Sequence, residues 1–113
     1  MIAVSCHCGK TKFEVPHLPE NIGRCNCSIC SRLGTLWAYY PPDQVNLTHV
    51  TTTTSYIWGD KMMAIHHCTT CGCTTHWTNL DDPAASKIGV NARMFIDIDL
   101  DTIPIRQIDG ASY

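Results

Sequence analysis

Hydrophobic residues fall in short runs that alternate with polar positions, which is the pattern of β-strands with one buried face. These runs lie at residues 11–15, 35–40, 45–47, 51–58, 62–67, 73–77, 87–91 and 103–108. Pro, Gly, Asn and Asp separate them and predict turns, one of them at 79–83. Pro104 predicts that the last run starts a strand there or forms an edge strand, because proline has no amide hydrogen to donate.

Helices are predicted to be a minor part of the structure. No segment sustains a helical period between capping residues. Residues 28–33 predict one helical turn, and residues 97–102 predict another short turn. The run 62–67 is expected to pair with 51–58 as a hairpin. The pattern therefore predicts a mainly β domain made of small antiparallel sheets packed on one another.

Length and charge indicate a single-domain protein and argue against nucleic-acid and membrane partners. The 113 residues predict a single domain over 1–113, with a small core that a bound metal would help to stabilise. The net charge of −2 and the lack of a Lys/Arg run argue against a nucleic-acid partner. No apolar run reaches the roughly 20 residues that span a bilayer, and the N-terminal segment lacks the basic start of a signal peptide. We therefore expect a cytoplasmic protein with no membrane partner.

The 8 cysteines are unusually many for a cytosolic domain. An even number of cysteines predicts disulfides in a secreted chain, whereas in a reducing cytosol the same pattern indicates metal. Their spacing favours metal. Cysteines two or three residues apart are too close to brace distant parts of a chain, but each pair can supply two ligands to one ion.

Two cysteine pairs lie far apart in the chain. Cys6 and Cys8 form a C-x-C pair, which on a strand would point both sulfurs to the same face. Cys68 and Cys71 form a C-x-x-C knuckle followed by Gly72, which can take the positive φ that such a turn often needs. One shared zinc would pin the N-terminus to the middle of the chain, and a four-cysteine site is closed and structural.

The central run contains three cysteines, Cys25, Cys27 and Cys30, spaced C-x-C-x-x-C. Three protein ligands with an open position are typical of a catalytic zinc, which can bind a substrate thiolate or act as a Lewis acid. The alternative is a closed site completed by Cys73 or a histidine. Cys73 itself is open to three interpretations: a small buried hydrophobe, a fourth ligand or a reactive thiol.

Taken together, the cysteine clusters carry a resemblance to a known family. The matching stretches are Ser5-Cys6-His7-Cys8-Gly9, Cys25-Asn26-Cys27-Ser28-Ile29-Cys30, His67-Cys68-Thr69-Thr70-Cys71-Gly72 and Val90-Asn91-Ala92-Arg93. In these stretches the chain resembles the glutathione-dependent formaldehyde-activating enzyme family, also named for the centromere protein V domain. It is most similar to the short bacterial members labelled aldehyde-activating proteins. Asn26 stands where many members have histidine, and Ser31 precedes Arg32 where they often have arginine directly after the third cysteine.

The resemblance implies a β-tent fold of small sheets leaning on each other and two zinc ions per chain. It implies a structural zinc on Cys6, Cys8, Cys68 and Cys71, and a catalytic zinc on Cys25, Cys27 and Cys30. It also implies a carbon–sulfur lyase whose partners are a small thiol such as glutathione and an aldehyde. The adduct of glutathione and formaldehyde is S-hydroxymethylglutathione.

Other residues are candidates for supporting roles. His66, His67 and His76 titrate near neutrality and are candidate acids or bases, or else ordinary strand histidines. Arg24 and Arg32 flank the central cluster and either meet a glutathione carboxylate or are solvated surface charges. The larger aromatic residues are expected to build the core: Trp37, Tyr39, Tyr40, Tyr56, Trp58 and Trp77.

Two functions compete with the enzyme. A non-catalytic zinc module that binds a protein partner would have an all-protein shell around the central zinc. A thiol sensor that uses Cys73 would lose its oxidant response on Cys73→Ser while its metal content stayed unchanged.

Overall fold

The computed structural model describes residues 1–59, 61–80 and 87–112, and strands dominate these ranges. The strands are β1 (Ile2–Ser5), β2 (Lys12–Val15), β3 (Ile22–Cys25), β4 (Trp37–Tyr40), β5 (Thr53–Tyr56), β6 (Met63–Cys68), β7 (Thr74–Asn79), β8 (Ile88–Asn91) and β9 (Ile105–Ile108). The helical elements are α1 (Ser28–Leu33) and 3₁₀ turns at Pro42–Gln44, Ala92–Met94, Leu100–Thr102 and Gly110–Ser112. None of the helices in these ranges is long and apolar enough to cross a bilayer.

The strands form two sheets. β1 and β2 make an antiparallel hairpin, and the other seven strands follow the order β5-β6-β7-β8-β4-β3-β9. Neighbours in the larger sheet are antiparallel except β3 and β9, which run parallel with Ile22 opposite Ile105. The mainly β prediction is confirmed. The larger sheet is mixed, because β9 returns to pair with β3 after a long excursion of the chain.

Most predicted elements are present in the described ranges. The hairpin of runs 51–58 and 62–67 is β5 against β6, with Thr53 opposite Cys68. Residues 28–33 form α1, and Pro104 directly precedes the edge strand β9. Part of the predicted turn at 79–83 lies outside the described residues.

One predicted strand is absent from the structure, and two observed strands were not predicted. Residues 45–47 form no strand, because the Val45 amide instead donates to the Pro42 carbonyl at 3.4 Å and closes a 3₁₀ turn. β1 is absent from the predicted runs because it is short and ends at the first cysteine. β3 is absent because Gly23 and Arg24 interrupt its alternation.

Two cores stabilise the fold. The larger one joins the β1–β2 hairpin to the main sheet and is built from residues such as Val4, Phe13, Val15, Ile22 and Val90. The smaller core consists of Trp37, Ile65 and Trp77, and it packs against Ile29, Cys30 and Tyr39. The central cysteine run therefore packs, through Cys30, against a cluster that contains the indole rings of Trp37 and Trp77.

Gly89 lies beside this cluster, and its lack of a side chain leaves space for the Trp77 indole. A Cβ atom at Gly89 would lie 1.9 Å from Trp77 Nε1 on the neighbouring strand β7. No side chain fits in that space, so the Trp77 indole lies directly across the backbone of β8.

Candidate metal centres and the adjoining cavity

The two outer cysteine pairs lie in the turns of two hairpins. Cys6 and Cys8 follow the end of β1 and precede β2, whereas Cys68 ends β6 and Cys71 precedes β7. Cys6 and Cys8 lie in a turn and not on a strand, so strand alternation is not what brings their sulfurs together. The chain turns after Ser5, where the Gly9 amide donates to the Cys6 carbonyl at 3.2 Å. The two hairpin turns nonetheless meet in space.

The four sulfurs of this outer group lie close enough to share one ion. All four Sγ atoms are within 4.8 Å of one another. The Cys6–Cys8 and Cys8–Cys68 Sγ distances are each 3.6 Å. A zinc–sulfur bond of about 2.3 Å places the ligand atoms of a tetrahedron about 3.8 Å apart. The spacing of the sulfurs therefore fits a tetrahedral zinc ion.

Backbone amides stabilise thiolates in this group. The amide of Cys71, followed by the side chain of Thr11 and the amide of Thr70, lowers the pKa of Cys68 to about 5. Gly72 takes the predicted positive φ of 81°, and its amide donates to the Cys68 carbonyl at 2.9 Å. The knuckle thus closes into the tight turn expected from its sequence.

The sulfurs of the same group oppose one another's ionisation. The amides of Cys73 and Cys8 lower the pKa of Cys71 to about 7. The Lys10 amide lowers the pKa of Cys8, but desolvation and the neighbouring sulfurs outweigh it and raise that pKa to about 11. Neighbouring thiolates repel one another, and a divalent ion among them would remove this conflict.

The central group is built at the junction of β3 and α1. Cys25 ends β3, Cys27 is the N-cap of α1, and Cys30 lies in its first turn. The Cys30 amide donates to Cys27 Sγ at 3.4 Å. All three cysteines are partly buried, and their Sγ atoms lie within 4.8 Å of one another. The central group can therefore hold a metal ion through three sulfurs.

Trp37 supports the most enclosed of these sulfurs. Its indole Nε1 donates to Cys30 Sγ at 3.4 Å, and the Trp37 side chain is itself buried. Desolvation raises the pKa of Cys30 to about 12 despite this bond. Desolvation also raises the pKa of Cys27. Hydrogen bonds from the Cys30 amide and neighbouring groups outweigh this effect, so the pKa of Cys27 lies below its usual value.

No fourth ligand joins the central group from the described part of the chain, where the candidates considered are Cys, His, Asp and Glu. Cys73 lies in the other turn, where its carbonyl accepts from the Cys68 amide at 3.0 Å. Cys73 therefore does not complete the central group, and it does not belong to the outer four. Among the Cys, His, Asp and Glu side chains of the described residues, the central group therefore consists of three sulfurs, whereas the outer group consists of four.

The C-terminal turn covers one side of the central group. Asn26 Nδ2 donates to Asp109 Oδ1 at 2.9 Å, and Asn26 Oδ1 accepts from the Ala111 amide at 2.9 Å. These bonds seat Gly110 against the cysteines, where a Cβ atom would lie 2.4 Å from Cys25 Sγ. From the sequence, Asn26 is only a departure from the histidine of many family members, with no predicted connection to residues 109–112.

A cavity opens beside the central group on another side. It has a volume of about 370 Å³ and is bordered by two of the three cysteines, Cys25 and Cys30. Among its other lining residues are Arg24, Thr35, Arg93 and Gln107. Of the two arginines proposed from sequence, Arg24 therefore lies at the cavity. Arg32 does not line it and instead donates to the Ser28 carbonyl of its own helix at 2.8 Å.

Arg93 is a charged residue that lines the cavity and that the sequence analysis does not predict as a binding residue. Its position follows from the buried Asn91, whose Oδ1 accepts from the Leu36 amide at 3.3 Å and the Arg93 amide at 3.2 Å. Asn91 Nδ2 donates to the Thr74 carbonyl at 2.8 Å. The signal in the sequence that could have identified it is the Val90-Asn91-Ala92-Arg93 stretch, which is part of the resemblance to the family.

The three candidate histidines do not line the cavity. His66 and His76 stack with ring centroids 4.3 Å apart, and His76 Nδ1 bonds Thr75 Oγ1 at 2.8 Å. Burial and the neighbouring His66 lower the pKa of His76 to about 3. A neutral, hydrogen-bonded ring of this kind is structural, so the geometry offers no support for His76 as the acid or base.

These features define a small β domain with two thiolate groups, of which one is closed and the other borders a cavity. The chain belongs to the family described as glutathione-dependent formaldehyde-activating enzyme, whose model matches residues 1–107. A crystal structure of a protein from Rhodobacter sphaeroides is similar, with a TM-score of 0.76 and 26% sequence identity. The similarity covers 92% of this chain and 99% of that one. Among curated proteins, none matches significantly.

Proposed function

We propose that this protein is a zinc-dependent carbon–sulfur lyase that forms or cleaves a thiol–aldehyde adduct such as S-hydroxymethylglutathione. The observation that carries the proposal is the difference between the two cysteine groups. Cys6, Cys8, Cys68 and Cys71 provide a complete set of four sulfurs. Cys25, Cys27 and Cys30 provide three, next to a cavity. Family membership supports glutathione and formaldehyde as the substrates.

The outer cysteines would hold the structural zinc. Cys6 and Cys8 come from the β1–β2 turn, and Cys68 and Cys71 come from the β6–β7 turn. A shared ion would therefore lock the small hairpin onto the main sheet, and its binding energy would add to the stability of the fold.

The central cysteines would hold the catalytic zinc. When bound, that zinc would supply a positive charge that favours the thiolate form of a substrate thiol. Trp37 donates to Cys30 Sγ and would limit the negative charge that this ligand places on a bound metal. The C-terminal turn packs against Cys25, which leaves the cavity side as the approach for substrates.

The proposed reaction is an addition with no change in oxidation state. The substrate sulfur forms a bond to the carbonyl carbon of the aldehyde, and the carbonyl π pair moves to oxygen. That oxygen takes up one proton, while the thiol has released one. In the reverse direction, the hydroxymethyl oxygen loses its proton, the carbon–sulfur bond breaks and the aldehyde leaves. Each direction balances without an added oxidant or reductant.

The chain contributes positioning more than proton transfer. Among the described residues that line the cavity, none is a carboxylate or an imidazole. The proton is therefore expected to pass through solvent, and holding two reactants in a productive orientation supplies the acceleration.

Exchange NMR at equilibrium tests the proposal, because the adduct also forms without catalyst. Magnetisation transfer between glutathione and S-hydroxymethylglutathione reports the rate in both directions. The expected result is an exchange rate that rises in proportion to protein concentration. Cys27→Ser should abolish this rise, and Cys73→Ser, which alters a cysteine outside both groups, should retain it. An exchange rate that stays at its uncatalysed value with zinc-loaded wild type would reject the glutathione version of the activity.

A further inference from the structure

We propose that the edge strand β5 (Thr53–Tyr56) pairs with β5 of a second copy of this chain, so that two molecules join their larger sheets into one. The two strands run antiparallel and are related by a two-fold axis at Ser55. The inference concerns association alone and does not depend on the proposed reaction.

The first argument is that the outer side of β5 is open. In the larger sheet of the described residues, β5 is the end strand and has β6 as its one neighbour. Alternate residues of an edge strand point their amides and carbonyls away from the sheet, where another strand can bind them. Thr54, Ser55 and Tyr56 are exposed, so the described part of the chain leaves this edge open to solvent. The edge therefore offers main-chain hydrogen bonds to an extended strand.

The second argument is that this edge carries none of the usual protection against pairing. Soluble proteins commonly place charged residues, particularly lysine, or proline on an exposed edge strand. Residues 51–58 contain neither a charged residue nor a proline. The opposite edge strand β9 does follow the rule, because Pro104 directly precedes it and Arg106 lies within it. The contrast indicates that β5 is available for pairing and that β9 is protected from it.

The third argument is that β5 is complementary to itself. Antiparallel pairing about an axis at Ser55 sets Thr54 opposite Tyr56 of the second copy, and Thr53 opposite its Ile57. The β-branched threonines of one half of the segment thus face the larger apolar side chains of the other half. Pairs of an aromatic and a β-branched residue stabilise antiparallel strands. Because the segment is uncharged, it also meets its own copy without like-charge repulsion.

Exposed apolar side chains extend the contact beyond the strand. Tyr56, Ile57 and Trp58 are 51%, 44% and 38% exposed. Tyr56 lies opposite Ile65 on β6, so Met63, two residues before Ile65, is on the same face as Tyr56. Met63 is 41% exposed. Clusters of exposed apolar side chains commonly mark interaction sites, and burial of this one would stabilise the pair of chains.

The size of the surface predicts a reversible dimer. One short strand and a few side chains bury less than the roughly 800 Å² per partner of a standard interface. Association is therefore expected to be weak, with a dissociation constant in the micromolar range, of the order of 10 μM.

The symmetry of the pairing limits association to two copies. Joining β5 to β5 uses the same edge of both chains, which leaves the protected β9 strands at the two ends of the joined sheet. Joining β5 to β9 would instead leave an open edge after each addition and would continue into a filament. Pro104 and Arg106 oppose that second arrangement, so we expect dimers rather than larger assemblies.

Sedimentation equilibrium of the zinc-loaded protein tests the pairing. Between about 1 and about 500 μM protein, the average mass should rise from that of one chain toward that of two. One chain has a mass of 12.6 kDa. A mass that stays at one chain throughout this range would overturn the proposal. Growth beyond two chains would overturn the closed two-fold pairing.

Charge substitutions at Ser55 test the position of the axis. Ser55→Lys and Ser55→Glu each place two like charges opposite one another, so each should raise the dissociation constant of the dimer at least about fivefold. An equimolar mixture of the two variants sets opposite charges against each other and should return the dissociation constant to within about threefold of wild type. Association of both single variants as in wild type, or a mixture that does not recover, would overturn the pairing about Ser55.

Ile105→Lys is the matched control on the opposite edge. Ile105 lies in β9 and is 43% exposed, so the variant adds the same charge to the other end strand of the sheet. Its dissociation constant should equal that of wild type. Weakened association in Ile105→Lys would indicate that β9 takes part and would overturn pairing through β5 alone. Unchanged zinc content and circular dichroism show that each variant is folded.

Discussion

Asn26 Nδ2 donates to Asp109 Oδ1 at 2.9 Å, which ties the middle of the central cysteine run to the C-terminal turn. Asp109 is held from its other side by Ser112, whose Oγ donates to Asp109 Oδ2 at 2.6 Å. The family model ends at residue 107, so this turn lies beyond the matched part of the chain. Asn26 therefore connects the central group to a segment outside the residues that the family model matches.

Asn26→Ala should release the turn from the central group. Groups that pack on or hydrogen-bond to metal ligands hold those ligands in position. Without the turn, the rate of zinc release from the central site should therefore rise by about tenfold or more. Zinc release to a chromogenic chelator measures this rate. Ser112→Ala is the control, since it removes a bond within the turn but leaves both side-chain bonds of Asn26 in place. Equal release from Asn26→Ala and wild type would show that the turn does not support the site.

Gly110→Ala should push the turn away from Cys25, because the new Cβ would overlap its sulfur. We expect the free energy of unfolding to fall by about 1–3 kcal/mol, the usual cost of overpacking. Thermal or urea unfolding of the zinc-loaded protein measures the change. Ala111→Gly alters the exposed neighbour and should cost less, within about 1 kcal/mol. A Gly110→Ala protein as stable as wild type would contradict this packing.

Trp37→Phe should weaken the central site while keeping an aromatic ring in the core. The variant removes the Nε1 donor to Cys30, so zinc affinity at that site should fall by roughly tenfold. Competition with a chelator of known affinity measures the change. Trp77→Phe is matched, because Trp77 belongs to the same aromatic cluster and donates no hydrogen bond to a cysteine within the described residues. Equal losses in the two variants would assign the effect to packing rather than to the hydrogen bond.

His76 should make stability depend on pH in the acid range. Burial and His66 depress its folded pKa to about 3, whereas an unfolded histidine titrates near 6.5. Between these values the unfolded chain binds more protons, so the free energy of unfolding falls as pH falls from 6.5. The contribution of this one group is at most about 1.4 kcal/mol per pH unit. The full contribution of the neutral His76 ring to the free energy of unfolding is present only above the pKa of histidine in the unfolded chain, about 6.5.

The measurement is urea unfolding of wild type and His76→Asn at matched zinc occupancy between pH 5.5 and 8. Thiolates also bind protons in this range, but their contribution is common to both proteins and cancels in the comparison. The slope of stability against pH should be shallower in His76→Asn. Identical slopes would mean that the His76 ring does not stay neutral in the folded protein.

Local features of the sequence predicted the grouping of the cysteines well. Cys25, Cys27 and Cys30 are close because a strand end and the first turn of a helix follow each other directly. Gly72 takes the predicted positive φ, since the knuckle turn requires it. Strand positions also followed from alternation wherever a run was long enough to show it.

Long-range relationships could not be predicted in the same way. Asn26 and Asp109 are 83 residues apart and meet only because β9 returns parallel to β3. Arg93 reaches the cavity through a hydrogen bond to Gly34, 59 residues earlier. The spacing of Cys6 and Cys8 does not reveal their local structure, because strand alternation and a tight turn can both bring the two sulfurs together. Only the hydrogen bonds around Gly9 distinguish the two.

Native mass spectrometry of the zinc-reconstituted protein tests the central claim, that one complete and one incomplete site coexist. Wild type should bind two zinc ions per chain. Cys27→Ser should bind one and keep the circular dichroism of wild type, because the outer four cysteines are untouched. Two tightly bound ions in Cys27→Ser, or unfolding together with the loss of both, would contradict a separable central site.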